Sequence, residues 1–462
     1  GTLAEDVINP ANEEVIGELP HASAADLDDA LIAAQRGYIT WRSTPASERA
    51  GLLARCADLV AARAQSIAHN VTLEQGKPLA ESRLEVDRVV ETFRWFAAEA
   101  TRVYGRLYPP RVGGVRQMVQ PEPLGVAVAL TAWNFPAALP ARKLAPALAA
   151  GCSVILKAAE ETPGTAVALV QALADAGLPP GVVNLVFGVP ADISAHLLAS
   201  PIVRKLSFTG SVPVGKSLAR LAADNLIRCT LELGGHAPAI VFDDAVLDAA
   251  VNATAAFKFR NAGQVCITPS RFYVHESTYP RFVDKFTAIA SGLRVGDGLD
   301  EATQMGPMAN SRRVDAMERL IDDARARGAT IHTGGARHGN RGFFWQPTTV
   351  TDIPDDALLM TEEPFGPVAP IVTFRDVDEV VERANSLRYG LAAYLFTQSQ
   401  ATANHMSTAL ESGSIGVNTL LPAQADTPMG GVKDSGYGYE GGHEGLDEFL
   451  VSKLISRDQL TD

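Results

Sequence analysis

Between residues 125 and about 418, short and continuously apolar runs alternate with segments of helical period, and few folds accept that pattern. Residues 125–130 read as a buried strand, 137–150 as a helix stopped by Gly151, 152–156 as the next strand and 164–176 as a helix ended by Gly177. The pattern repeats through 182–187 and 193–198, through 205–208 leading into a helix from Val214, and through 229–233 and 239–242. Strands apolar on both faces and separated by helices predict a parallel sheet covered on either side. After Asp243 the alternation restarts with a helix over 248–259, a strand over 272–275 and a helix over 279–293. The expected class is therefore α/β, with a Rossmann-like parallel sheet and a second α/β unit. Such sheets take ligands at the carboxyl ends of their strands. Residues 115–120 and 448–455 differ, alternating polar and apolar as half-exposed strands do. They form either an arm that pairs across subunits or two edge strands on their own subunit.

At 462 residues the chain is long enough for two or three domains. No apolar run reaches 18 residues, so no membrane span is expected, and no secretory signal opens the sequence. A net charge of −13 argues against a nucleic-acid partner. Cys56, Cys152, Cys229 and Cys266 are scattered without CxxC pairs, which suits a reducing cytoplasm rather than a disulfide framework. The nine histidines show no HExxH spacing, so no metal site is expected.

Five segments carry candidate chemistry. Cys266 ends the run Asn261-Ala-Gly-Gln-Val-Cys266, a glycine-containing turn after a helix. There a thiol is either an approachable nucleophile or a small core residue. Glu232 closes an apolar strand before Gly234-Gly235; burial would raise its pKa toward that of a useful general base, unless it pairs with an arginine at a domain junction. Asn134, in Thr131-Ala-Trp133-Asn134-Phe135-Pro136, could donate to an oxyanion or cap the following helix. Phe208-Thr209-Gly210-Ser211, followed by Gly215-Lys216, outlines a phosphate cradle at a helix start, without the GxGxxG or GxxxxGK[ST] fingerprints. Lys157 and Glu160 follow another strand; Glu160 would accept from ribose hydroxyls and repel a 2′-phosphate, or simply stand as an acid at a helix start.

Together these motifs resemble the aldehyde dehydrogenase superfamily, in order and approximate spacing, from Val7-Ile8-Asn9-Pro10 to the tail. The resemblance implies Cys266 as nucleophile, Glu232 as general base and Asn134 as oxyanion donor. It implies cofactor contacts at Thr131, Trp133, Lys157, Glu160, Gly210, Ser211, Gly215 and Leu233. In Glu362-Glu363-Pro364-Phe365-Gly366-Pro367, it assigns Glu363 to the nicotinamide ribose and Phe365 to the ring. It divides the chain into a cofactor domain (1–106 and 125–235), a catalytic domain (236–440) and a small β oligomerisation arm (107–124 and 441–462). NAD is the expected cofactor, with NADP as the alternative, and a homodimer or homotetramer the expected assembly.

Within the superfamily the chain looks similar to the succinate-semialdehyde and α-ketoglutaric-semialdehyde groups, through Arg142-Lys143, Lys258-Phe259-Arg260-Asn261 and the run from Tyr389 to Tyr394. By that resemblance Arg142 and Arg260 grip a distal carboxylate, as a guanidinium fork can; otherwise each pairs with local acids. Several positions depart from the pattern. The loop 421–427 lacks the serine that completes the grip, Met429 replaces a phenylalanine, Thr268 a second cysteine and Ala158 a proline, while His236 is read as structural. The competing readings are a broad aliphatic or aromatic aldehyde dehydrogenase, a cysteine hydrolase and a catalytically silent homologue.

Overall fold

The computed structural model describes residues 3–111, 113–421 and 423–458. Position 422 of the 421–427 loop and residues 459–462 of the expected arm lie outside the described residues.

The expected parallel sheet is present as six strands. In spatial order they are Gly436–Tyr437, Arg228–Leu233, Val203–Gly210, Val126–Leu130, Ser153–Lys157 and Val183–Val186. All neighbours run parallel except Gly436–Tyr437, which pairs antiparallel with Glu232 and Leu231. The chain starts in the middle at Val126–Leu130, builds outward to Val183–Val186, then crosses back to Val203–Gly210. That reversal places a crevice between the carboxyl ends of Val126–Leu130 and Val203–Gly210, where such sheets bind ligands. The period of two explains how one strand serves two cores. Val126, Val128 and Leu130 join one buried cluster with Leu206 and Leu218, while Ala127 and Ala129 join another with Ala141, Leu144 and Leu148 of the helix Ala138–Ala150. The small alanines let that helix lie close to the sheet.

A second sheet has seven strands, ordered Thr330–Thr333, Thr348–Thr351, Val368–Phe374, Pro269–His275, Ala237–Val241, Ala392–Phe396 and Ser414–Val417. Only its first pair is antiparallel. It has its own buried cluster, built around Phe272, Phe282 and Phe286. The two half-exposed segments pair with each other: Val115–Pro123 runs antiparallel to Leu450–Asp458 and to Arg106–Tyr108. The last strand begins at Leu450 rather than 448, because the Glu448 carboxylate is bonded by Lys205 Nζ (2.7 Å) and Thr230 Oγ1 (2.8 Å). The helix expected from Val214 starts at Val212, since Pro213 fits a first turn that needs no N–H there.

One turn joins the two sheets. After the helix Leu247–Phe259, Asn261 and Ala262 both take left-handed backbone (φ 50°), and Gly263 continues it at φ 71°. A Cβ on Gly263 would collide with the carbonyl of Gly366, so the missing side chain lets the 363–367 segment lie directly on this turn. We predict that Gly263→Ala lowers the melting temperature, through ~1–2 kcal/mol of left-handed strain plus the clash, and costs more activity than stability. A thermal melt beside a steady-state assay checks both.

Candidate active site

Asn134 lies just past the end of the strand Val126–Leu130, and its backbone carbonyl is fixed from two sides. Lys77 Nζ donates to it at 2.7 Å and Asn261 Nδ2 at 2.9 Å. Lys77 is itself buried, paired with Glu85 (2.6 Å) and set over the Phe135 ring. Asn134 does not cap the following helix; Glu85 does, accepting from the Ala137 and Ala138 N–H groups at 2.8 and 3.1 Å. The Asn134 side chain instead donates to the carbonyl of Gln264 at 3.1 Å, two residues before Cys266. One of its two amide hydrogens remains for a ligand.

Cys266 and Glu232 line the same cavity, with Leu233, Arg142 and Arg260. Glu232 is 4% exposed, and neither of its carboxylate oxygens has a hydrogen-bond partner. It does not pair with an arginine at a domain junction. Burial first, and then the charge of Glu440, push its pKa well above the usual carboxylate range. Burial also pushes the Cys266 thiol up to about 12, helped by Glu363 and Glu232; Arg142 and the cysteine's own N–H pull the other way. Cys266 therefore rests as a thiol at neutral pH, and Glu232 holds a proton more readily than an exposed carboxylate.

The cofactor positions gather around the crevice. Gly210 and Ser211 lead into the helix Val212–Asp224, whose N-cap Ser211 makes no side-chain cap bond, so its first-turn N–H groups stay available to an anion. Side chains on Gly210 and Gly215 would run into Phe208 and Leu233, which keeps this cradle bare. The Thr131 N–H bonds the Lys157 carbonyl at 3.2 Å, and Lys157 Nζ sits 2.5 Å from Glu160 Oε1. Trp133 meets the edge of Phe365 at 5.6 Å, and Arg313 lies over the other side of that ring at 5.7 Å. Glu363 accepts from the Gly235 N–H at 3.2 Å, and burial lifts its pKa to about 7. A bare glycine cradle, free helix N–H groups and a buried carboxylate suit the phosphates and ribose of a dinucleotide.

Arg142 and Arg260 line the cavity, and among the described residues neither makes an ion pair, although Glu81 lies close enough to Arg260, and Glu232 to Arg142, to act on it electrostatically. Arg142 donates to Met429 Sδ at 3.1 Å, and Arg260 is sandwiched by the Phe135 and Phe257 rings at 5.4 and 5.8 Å. The structure adds residues that sequence reasoning missed. Arg88, on the helix Leu79–Glu99, lines the cavity too, and Glu440 with its partner Lys143 lies beside Glu232. A basic residue among the buried Val86, Val89 and Val90 was the available signal for Arg88. Lys258, between the cysteine turn and Glu363, is fully buried with no partner for Nζ, and burial drops its pKa to about 7. His236 bonds Ser270 at 2.7 Å, and Thr268 bonds the Phe257 carbonyl at 3.1 Å. No described histidine lines the cavity, so a Cys–His hydrolase has no partner there. Among the described residues no helix is long and apolar enough to cross a membrane.

The model of the aldehyde dehydrogenase family matches residues 2–455. The chain belongs to the aldehyde dehydrogenase family. It is 49% identical over 449 residues to the 4-(hydroxymethyl)benzenesulfonate dehydrogenase TsaD1 of Comamonas testosteroni, covering 97% of this chain and 94% of that one. It is 44% identical to the 3-sulfolactaldehyde dehydrogenase of Pseudomonas putida, over 97% and 92% of the two chains. The solved succinate-semialdehyde dehydrogenase of Burkholderia pseudomallei superposes with a TM-score of 0.97 at 44% identity, covering 99% of this chain and 95% of that chain. This aldehyde dehydrogenase is thus an NAD(P)-dependent oxidoreductase acting on small-molecule aldehydes. Its thiol should alkylate slowly at neutral pH in the cofactor-free enzyme. Iodoacetamide labelling of Cys266, followed by mass spectrometry, is expected to show no inflection below pH 9; a midpoint near the ordinary thiol value of ~8.5 would contradict the burial argument.

Proposed function

We propose that this enzyme oxidises an aldehyde carrying a distal anionic group to the carboxylic acid, through a thiohemiacetal and a thioester on Cys266. The observation that carries the reading is a buried carboxylate with both oxygens unbonded, Glu232, opening on the same cavity as Cys266.

The Cys266 thiol gives up its proton to solvent water, with the Arg142 charge favouring the thiolate, and Sγ then attacks the aldehyde carbon. The developing oxyanion takes the free hydrogen of Asn134 Nδ2 and the Cys266 backbone N–H, where one lost donor typically costs ~2.7–4 kcal/mol. Gly210, Ser211 and Gly215 would hold the pyrophosphate, Lys157 and Glu160 the adenosine ribose, and Glu363 the nicotinamide ribose. Thr131, Trp133, Leu233 and Phe365 would wall the nicotinamide. When bound, the cofactor supplies the hydride acceptor that turns the thiohemiacetal into the thioester. Glu232 then takes a proton from water, the hydroxyl bonds to the acyl carbon, the C–S bond breaks and the acid leaves. The Glu160 carboxylate favours NAD over NADP, and Lys157 beside it tempers that preference.

Arg142 and Arg260 hold the distal anion. Support comes from the absence of an ion pair to either among the described residues and from relatives named for sulfolactaldehyde and succinate semialdehyde. The strands Arg106–Tyr108, Val115–Pro123 and Leu450–Asp458 would form the arm of a homo-oligomer, offering the exposed Leu107 and Leu454 to a second copy. The four free cysteines suit a reducing cytoplasm.

Glu232→Gln is expected to lower steady-state kcat by about 10²–10⁴ while a single-turnover burst of reduced cofactor persists, because only hydrolysis of the thioester loses its base. A missing burst would point to a role in the earlier step. In the wild type, kcat should fall as pH drops through the raised Glu232 pKa, which protonates the base, and Glu232→Gln should lose that limb. Arg142→Ala and Arg260→Ala should each cut kcat/KM for succinate semialdehyde by about ten- to hundredfold, and that for a neutral aldehyde far less. Leu454→Asp should shift the mass seen by light scattering toward the monomer; an unchanged mass would remove this strand from the interface.

A further inference from the structure

Resting on the distal-anion reading above, the count of guanidinium groups in the cavity narrows the anion. Arg88 from Leu79–Glu99, Arg142 from Ala138–Ala150 and Arg260 after Leu247–Phe259 approach one cavity from three helices. Among the described residues none of the three forms an ion pair, although many other arginines of this acidic chain do, such as Arg63, Arg312 and Arg319. Glu91, one turn along from Arg88, lines the same cavity but makes no salt bridge with it. Gathering three like charges is unfavourable, and the nearby acids, Glu91 for Arg88 and Glu81 for Arg260, offset it only through space and without an ion pair. Burial, and then Arg260 and Arg142, hold the Arg88 pKa below its usual value. The groups are also held in place: Met429 Sδ fixes Arg142, and two aromatic rings flank Arg260. The opposite wall, at Leu421, Ala423 and Ala425, offers no hydroxyl.

A carboxylate has two oxygens and is satisfied by two guanidinium forks. A third fork has no oxygen of its own to meet, whereas a tetrahedral anion with three terminal oxygens presents one edge to each arginine. We propose that Arg88 completes a three-arginine subsite for a terminal sulfonate, so that the substrate is a sulfonated aldehyde rather than a dicarboxylic semialdehyde. Arg88 is then a specificity-determining residue that touches the substrate at the end remote from Cys266.

The test compares 4-formylbenzenesulfonate, 4-formylbenzoate and benzaldehyde, which share a ring and differ only at the far end. The wild type is expected to favour the sulfonate over the carboxylate by ~10-fold or more in kcat/KM, about the worth of one charge-assisted hydrogen bond. Arg88→Gln should bring that ratio close to one, with the loss falling mainly on KM. Arg88→Met provides a second variant, and because the readout is a ratio between substrates, partial loss of folded enzyme does not move it. A carboxylate turned over as well as the sulfonate, or a ratio that survives both substitutions, overturns the three-arginine subsite. Failure of the underlying reading looks different: benzaldehyde would then match both anions, and Arg142→Ala would leave all three ratios alone.

Discussion

The catalytic geometry depends on one reciprocal amide contact. Asn134 Nδ2 donates to the carbonyl of Gln264, while Asn261 Nδ2 donates to the carbonyl of Asn134. These bonds bind the end of a central strand of one sheet to the turn that delivers Cys266 from the helix preceding a strand of the other. The turn could not hold this shape unaided, because two consecutive non-glycine residues sit in left-handed backbone. Such strain costs of order 1–3 kcal/mol per residue and persists only where the surroundings over-determine it. Gln264 supplies part of that determination, donating to the Asn261 carbonyl and accepting from the Ala309 N–H. Glu81 adds the rest by accepting from the Asn261 N–H at 2.8 Å. A strained turn clamped by buried amides fixes the Cys266 sulfur relative to the Asn134 amide with little residual freedom, which is what orientation-dependent catalysis needs.

The cavity is divided electrically. Glu232 and Glu440 line it with Cys266, and Arg88, Arg142 and Arg260 line it together with Glu91, while Glu363 acts on the thiol from outside the lining. Glu363 and Glu232 add to burial in raising the thiol, and Glu440 adds to burial in raising Glu232, so these two groups hold their protons more tightly than exposed ones would. A buried carboxyl that is easily protonated makes a stronger base when it does ionise, so the lack of partners around Glu232 suits the removal of a proton from water. The arginine end does the opposite: it is charged and aromatic-walled, and among the described residues its arginines make no ion pairs. An aldehyde with an anionic tail is oriented by such a gradient before any specific contact forms.

Most of this was legible in the sequence because the crevice lies at strand ends. Buried parallel strands announce themselves as apolar runs, and the polar or glycine residues that interrupt them, Asn134, Glu232, Gly210 and Ser211, stand out against that background. The strand and helix bounds around them differ from expectation by one or two residues, where Pro213 or the bonded Glu448 decides the end. What stayed hidden depends on pairing over long separations. Lys77 finds Asn134 across 57 residues, and Lys143 finds Glu440 across 297. Arg88 was hidden for a different reason. On a long amphipathic helix an arginine reads as solvated surface, and only the folded chain shows that this face closes the cavity.

The segment from Met429 to Glu440 ties the two ends of the cavity together. Met429 and Glu440 exchange backbone hydrogen bonds at 2.7 and 2.8 Å, so their side chains are carried on one rigid bridge. Met429 holds Arg142 at the substrate end, while Glu440, neutralised by Lys143, raises the pKa of Glu232 at the base end. Methionine at 429, where the family resemblance implies phenylalanine, acts directly on Arg142. It gives Arg142 a soft acceptor in place of a ring, and a thioether is too weak an acceptor to compete with an incoming anion. The guanidinium is held in position and still left available. A carboxylate at position 429 would have fixed Arg142 more firmly and consumed the charge that the proposed distal anion would meet.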